Sequence, residues 1–303
     1  MPVRALLHYA LEVPDQATGQ TYYRDFGLED ASDHGDVVRL RPRARGRDQV
    51  LLYAGPRKRL HHLAFAAPGV EYAAARQRLA SDGAREVDPP RGAPEGGIWV
   101  RDPDGNFVNL RDEAPRPAAP DPPLALNSPG HAPRQMQRGA PRPDLRAAPR
   151  RLGHVLLFTP DLDRQIDFYT RVLGMRLSDR SGKIVAFMRC STDHHNLAFL
   201  QSERPGFHHS SFEVGSIDEM AMGALRMRER GWEPFWGLGR HVIGSNFFYY
   251  IRDPWGSFAE YFFDLDYIPE DAPWEPRDWP ASDALYRWGP ECPAAFGVNT
   301  ETD

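Results

Sequence analysis

Two stretches decide how this chain reads: Leu60-His61-His62-Leu63-Ala64-Phe65 and Phe207-His208-His209-Ser210-Ser211-Phe212. Each is an apolar run broken by a pair of histidines. Working outward, each has a histidine on a strand-like segment before it (His8, His154) and an Asp-Pro-x-Gly turn after it (Asp102 to Gly105, Asp253 to Gly256). The turns lead to Asn109 and Glu260. The spacings from His8 to His62 to Asn109 are 54 and 47 residues, and from His154 to His209 to Glu260 they are 55 and 51. The match-points are polar rather than core positions. The chain therefore reads as an internal duplication.

Between the halves, from Ala114 to Arg150, the composition turns to Pro, Arg and Ala with almost no aromatic or β-branched residues. Such a segment cannot bury enough apolar surface to offset its ordering entropy, so it predicts an extended linker. The expected organisation is a first domain at 1–113, a linker at 114–150, a second domain at 151–266 and a tail at 267–303, with 303 residues giving each half room for its own core. The 41% apolar and 26% charged content is that of a globular protein, and the net charge of -5 is interspersed, which argues against a nucleic-acid footprint. Two cysteines, Cys190 and Cys292, are too few for a disulfide framework or a thiolate metal site, which fits a reducing cytosol. The N-terminus reads straight into a strand, with neither leader nor membrane span expected, so the predicted location is cytoplasmic.

The local signals are those of an α+β fold. Thr159-Pro160-Asp161 predicts a helix start with Thr159 as N-cap; Leu162, Ile166, Tyr169 and Leu173 follow at helical spacing, and Gly174 stops it. A second helix is predicted over about 218–230, with Met220, Ala224 and Met227 on one face and Gly231 as its stop. Short strands are expected at 184–188, 195–200, 247–251 and 258–262. The first half repeats the plan, with helices ending near Gly27 and Gly83. The sum is four βαβββ modules.

His154, His209 and Glu260 then stand out as a metal constellation. Two imidazoles and one carboxylate from three strands form a facial triad with three open positions, enough for a bidentate substrate and a gas side by side. Zinc suits this less well, because its catalytic sites usually keep one open position. Any one of these histidines alone reads as a structural strand residue. Equivalent placement in duplicated modules, and an acid set among Phe258, Ala259, Tyr261 and Phe262, tips the balance, since an unpartnered interior carboxylate is costly. The first half keeps His8 and His62 but has Asn109 in third place, and reads as a metal-free copy.

The stretch from Gly239-Arg240-His241 through Asn246-Phe247-Phe248-Tyr249-Tyr250 and Asp253-Pro254-Trp255-Gly256 to Glu260 resembles the signature of type I extradiol ring-cleaving dioxygenases. These are catechol 2,3-dioxygenases and 2,3-dihydroxybiphenyl dioxygenases of the vicinal oxygen chelate superfamily. Arg151-Leu152-Gly153-His154, His194-His195-Asn196-Leu197-Ala198-Phe199, and His208-His209 with Glu213 agree. The resemblance covers both halves and implies two tandem barrel-like vicinal oxygen chelate domains. It implies Fe(II), with Mn(II) as the other option, on His154, His209 and Glu260. It also implies His195, His241 and Tyr250 as the catalytic groups around the ion. His195 would accept and return the substrate proton, Tyr250 would steady the deprotonated hydroxyl, and His241 would hold the substrate on its other side. The partners implied are a catecholic substrate and O2, with a homo-oligomer expected by analogy and no nucleic acid or membrane.

Plainer readings stand beside these. His194 and His195 as strand neighbours would face opposite ways, leaving His194 at the surface or behind the site. Tyr249 and Tyr250 would divide likewise, and His241 after Gly-Leu-Gly-Arg could sit on a loop. Asp253 in its turn is expected to bond its own backbone. Phe187, Trp236, Phe248 and Trp255 suit a flat ring but equally a core. The tail, with Trp274, Trp279 and Trp288, reads as a lid with Arg287 facing an anionic substituent, or as a subunit contact. Other functions remain in view: a glyoxalase-like isomerase, a hydroquinone-type dioxygenase, or a non-catalytic protein that sequesters an aromatic compound.

Overall fold

The computed structural model describes residues 1–31, 35–43, 46–116 and 120–301. Part of the expected linker, 117–119, and the end of the tail, 302–303, lie outside the described residues.

The elements follow the duplicated plan. The first module runs β1 (Ala5–Val13), α1 (Gln16–Phe26), β2 (Glu29–Asp30), β3 (Val38–Arg41) and β4 (Val50–Ala54), and the second runs β5 (Arg59–Ala66), α2 (Val70–Ser81), β6 (Ile98–Arg101) and β7 (Phe107–Arg111). The third runs β8 (Arg151–Thr159), α3 (Leu162–Arg171), β9 (Arg176–Ser181), β10 (Val185–Arg189) and β11 (Leu197–Gln201). The fourth runs β12 (Gly206–Glu213), α4 (Ile217–Glu229), β13 (Pro234–His241), β14 (Phe247–Arg252) and β15 (Phe258–Phe263). The second module is one strand short after its helix. There the chain holds Pro89 and Pro90, which lack the N–H a ladder needs, and a lone backbone bond from Val87 N to Trp99 O (2.8 Å) marks where the strand would lie.

The first half forms a seven-stranded sheet in the order β2-β3-β4-β1-β5-β7-β6. The second forms a ten-stranded sheet that includes two short tail strands, β16 (Arg277–Asp278) on β9 and β17 (Tyr286–Trp288) on β13, one at each edge. At its centre β8 pairs antiparallel with β12, which pairs parallel with β15. Those three neighbours carry His154, His209 and Glu260.

Helix ends are set by short polar caps. Asp161, not Thr159, caps α3: its side chain accepts from Arg164 N at 3.1 Å. Thr159 is fully buried as the last residue of β8, and its hydroxyl accepts from Asp161 N at 3.2 Å. The strand's pairing with β11 claims Thr159 before the helix can. Ser216 caps α4 by accepting from Glu219 N (3.0 Å). Glu219 in turn accepts from Gly215 N and from Ala148 N, which ties the end of the linker segment to the helix.

The largest core cluster is shared by the two halves, with smaller clusters inside each. The buried face of α1 (Tyr22, Tyr23, Phe26) reaches the second sheet: Phe26 stacks on Tyr261 at 3.9 Å and meets Phe212 edge-on at 5.6 Å. Tyr261 donates to Phe26 O (2.7 Å), Tyr22 to Ile251 O (3.0 Å), and Ser210 to Tyr9 (2.9 Å). Gly27 closes α1 at φ 110°, and a Cβ there would lie 2.4 Å from Ala147 O. Glycine is needed both for the left-handed turn and for that approach.

An Asp161→Ala variant is expected to lose about 1 kcal/mol in urea unfolding. Parent-like stability would return the cap to Thr159.

Candidate metal centre

Three strands bring the triad to one point. His154 Nε2 and Glu260 Oε2 are 3.1 Å apart, the two imidazole Nε2 atoms 3.3 Å, and His209 Nε2 and Glu260 Oε2 3.5 Å. An octahedral ion with bonds of about 2.1 Å spaces adjacent ligands by about 3 Å, so this triangle has the dimensions of one face. Glu260 is completely buried, and its Oε2 has no hydrogen-bond partner among the described residues. A buried carboxylate oxygen aimed between two imidazole nitrogens without a donor is costly unless a cation sits there. Among the described residues this is the group of His, Cys, Asp and Glu close enough to hold an ion.

The other predicted side chains surround the triangle. The His195 ring centre lies 4.2 Å from that of His154, and burial, then the neighbouring imidazoles, push its pKa well below the usual histidine range. His241 donates from Nδ1 to Leu285 O (2.6 Å), and its Nε2 meets the Tyr250 hydroxyl at 3.0 Å. Burial lowers His241 as well. Burial, with the Glu260 charge beside it, pushes Tyr250 well above its usual range, so it stays an O–H donor. His209 is lowered by burial, and its neighbour His208 to about 4. Burial thus favours the neutral imidazole at His209, the form that binds a metal.

Several expectations need correction. His194 and His195 are not on a strand: they lie in the bend before β11, where the Asn196 side chain accepts from Cys190 N and the Ser191 hydroxyl. Of the two readings of His194, at the surface or behind the site, the second holds: it is fully buried against His195, and its Nε2 is 3.1 Å from Asp179 Oδ2. His241 ends strand β13 instead of lying on a loop. Arg287 does not face the site; it pairs with Asp283 (3.0 Å), four residues earlier on the exposed tail. Asp253 does bond its own turn, accepting from Trp255 N and Ser257 N.

Of the aromatics, Phe187 lines the cavity beside His195. Phe248 stacks on His241 at 4.1 Å, and Trp236 lies parallel to Tyr250 at 5.6 Å. Trp255 lies elsewhere, against Gly19. Asn246, whose Nδ2 is 3.3 Å from Glu260 Oε1, had no role assigned from sequence although it stands in the quoted signature. Asp179, behind His194, carried no signal at all.

The cavity over the triangle has a volume of about 370 Å³. Leu156 and Leu200 line it from the sheet and Ile184 from the β9–β10 turn, while Leu285, Cys292 and Phe296 close it from the tail. The triangle forms the polar end of an otherwise apolar space.

Among its described residues the first half offers no equivalent. His8 and His62 approach to 2.9 Å through their Nε2 atoms, which makes an imidazole–imidazole hydrogen bond. The Asn109 amide is turned to Gly96 O and Ile98 O. Burial takes His8 down to about 3.

The model of the Glyoxalase/Bleomycin resistance protein/Dioxygenase superfamily matches residues 5–110 and 151–261. Metapyrocatechase 2 of Cupriavidus necator is 43% identical over 99% of this chain and 93% of its own length. An iron-dependent extradiol dioxygenase of Rhodococcus jostii is 32% identical over 46% of this chain and 50% of its own. Among solved structures, the Mn(II)-bound glyoxalase from Novosphingobium aromaticivorans aligns with a TM-score of 0.77 at 26% identity, covering 95% of this chain and 91% of that one.

Metal analysis after anaerobic loading should find one equivalent of Fe(II) or Mn(II) per chain in the parent and almost none in Glu260→Gln. An ion retained by the Gln variant would remove the triad assignment.

Proposed function

The chain belongs to the Glyoxalase/Bleomycin resistance protein/Dioxygenase superfamily, and from that premise we propose that it is an extradiol dioxygenase that opens a catechol-type ring with O2. The observation that carries this reading is the ring of His195, His241 and Tyr250 around the exposed face of the triangle. It joins a full-length likeness of 43% to a metapyrocatechase. The product is a muconic-semialdehyde-type compound that keeps both oxygen atoms, and the setting is aromatic catabolism in a reducing cytoplasm, where Cys190 and Cys292 remain free thiols.

Iron(II) or manganese(II) held by His154, His209 and Glu260 supplies a Lewis acid and a template for the catecholate and O2. The protein's own groups do the rest. His195, neutral and beside His154, takes a proton from a substrate hydroxyl and returns it later. Tyr250 keeps its proton and donates a hydrogen bond to the oxygen left behind. His241, anchored by the Leu285 carbonyl, stands with its Nε2 3.0 Å from the Tyr250 hydroxyl and so holds the substrate on the same side as Tyr250. The apolar walls, with Phe187 against His195, take up the ring and keep bulk water from the reacting atoms.

A glyoxalase-like isomerase is the second reading, favoured by the fold likeness to the Mn(II) glyoxalase. An isomerisation consumes no O2. Anaerobic reconstitution with Fe(II), then air and a panel of catechols, should give a yellow product and one O2 consumed per catechol. Isomerase activity without O2 uptake would replace this proposal. His195→Gln is expected to keep metal and catechol binding while ring opening slows roughly 10²–10⁴-fold. Parent-like turnover would take the proton-transfer role from His195.

A further inference from the structure

The chain contains three adjacent histidine pairs, and in each the two Nδ1 atoms face each other: 2.7 Å for His61–His62, 3.1 Å for His194–His195 and 2.7 Å for His208–His209. Two neutral imidazoles make such a contact only when one Nδ1 carries its proton and the other does not. For His208 the choice is fixed by its far nitrogen. Nε2 lies 2.7 Å from the carbonyl oxygen of Phe296, which can only accept. A neutral His208 therefore holds its proton on Nε2 and offers a bare Nδ1. His209 must donate from Nδ1, so its own Nε2 is bare. That is the atom facing His154 and Glu260.

We propose that His208 is a positioning residue: together with the Phe296 carbonyl it locks His209 in the tautomer whose Nε2 lone pair can bind the metal ion. The inference rests on the metal reading above. A ligand imidazole that donates its other N–H is both oriented and made more basic. Here the acceptor is a second imidazole, itself fixed by backbone.

The first half repeats the arrangement without a third ligand. His61 Nε2 lies 3.2 Å from Arg91 O, so the same reasoning leaves His62 Nε2 bare. His8 fills it with an N–H across 2.9 Å, in the place where the second half presents an imidazole and a carboxylate to an ion. The polarity of the pair thus comes from the paired histidines and their carbonyl, and needs no ion to set it.

The Phe296 carbonyl belongs to a short 3-10 turn, Ala294–Gly297, in the tail. Just beyond it, Glu301 pairs with the buried Lys58 of the first half (2.8 Å) and accepts from Phe207 N (3.0 Å). Asn299 donates to Arg204 O and Pro205 O. These bonds pin the turn against the start of β12, so the first half helps to hold the acceptor in place.

The test uses the full chain, metal-free, titrated anaerobically with Fe(II) and Mn(II), together with 15N–1H correlation spectra of its imidazoles. In the parent, His209 should carry its proton on Nδ1. His208→Leu should weaken metal binding roughly 10–100-fold. His208→Gln, whose amide can accept from His209 and donate to Phe296, should recover most of it. A folded His208→Leu protein that binds as tightly as the parent overturns the proposal, as does a parent spectrum with the proton on His209 Nε2. If the parent itself binds neither ion, the metal centre fails instead, and the spectra alone then decide the tautomer.

Discussion

The carboxylate of Glu260 is the constraint around which the second half is organised. An ionisable group with no exposure, set on a central strand between Phe258, Ala259, Tyr261 and Phe262, is tolerated only where something compensates it. The arrangement of neighbouring side chains makes room for that compensation. β12 and β8 present His209 and His154 beside one oxygen of Glu260, where a cation would offset its charge, and the Asn246 amide donates to the other. The register of these three strands therefore does more than pack a core, since a slip of one residue would turn a ligand to the other face of the sheet.

Much of this was legible in the sequence because the duplication gave each polar position a control. Glu260 and Asn109 occupy the same place in two copies. One points its carboxylate at two histidines, while the other turns its amide to the backbone of Gly96 and Ile98. Helix boundaries near Gly27, Gly83, Gly174 and Gly231 were readable because each glycine has a positive φ that other residues avoid. The cap at Asp161 was misread as Thr159, since a strand partner, invisible in local pattern, claims Thr159 first. His194 and His195 looked like strand residues because period-2 reasoning cannot see the Asn196 side chain holding a bend.

What the sequence could not supply were contacts between distant segments. Asp179 lies 15 residues before its partner His194, and Phe296 lies 88 residues after His208. No periodicity links such positions. The tail, full of prolines and tryptophans, gave no hint that its backbone carbonyls at Leu285 and Phe296 would each accept from a histidine of the site. Proline-rich backbone has few N–H groups to pair with its own carbonyls, which leaves some of them free to serve side chains elsewhere.

The shared core has one further consequence. Helix α1 is packed on the second sheet through Phe26, Tyr22 and Tyr261, whereas the described residues of the segment joining the halves are largely exposed and are held to the second half mainly at their end, where Ala147 is buried and both Ala148 N and Arg150 bond Glu219. The covalent connection is thus the weaker of the two links between the halves. Severed within that segment, the chain would remain one body held by its aromatic seam, so two separately made fragments are suited to reassemble into a working whole.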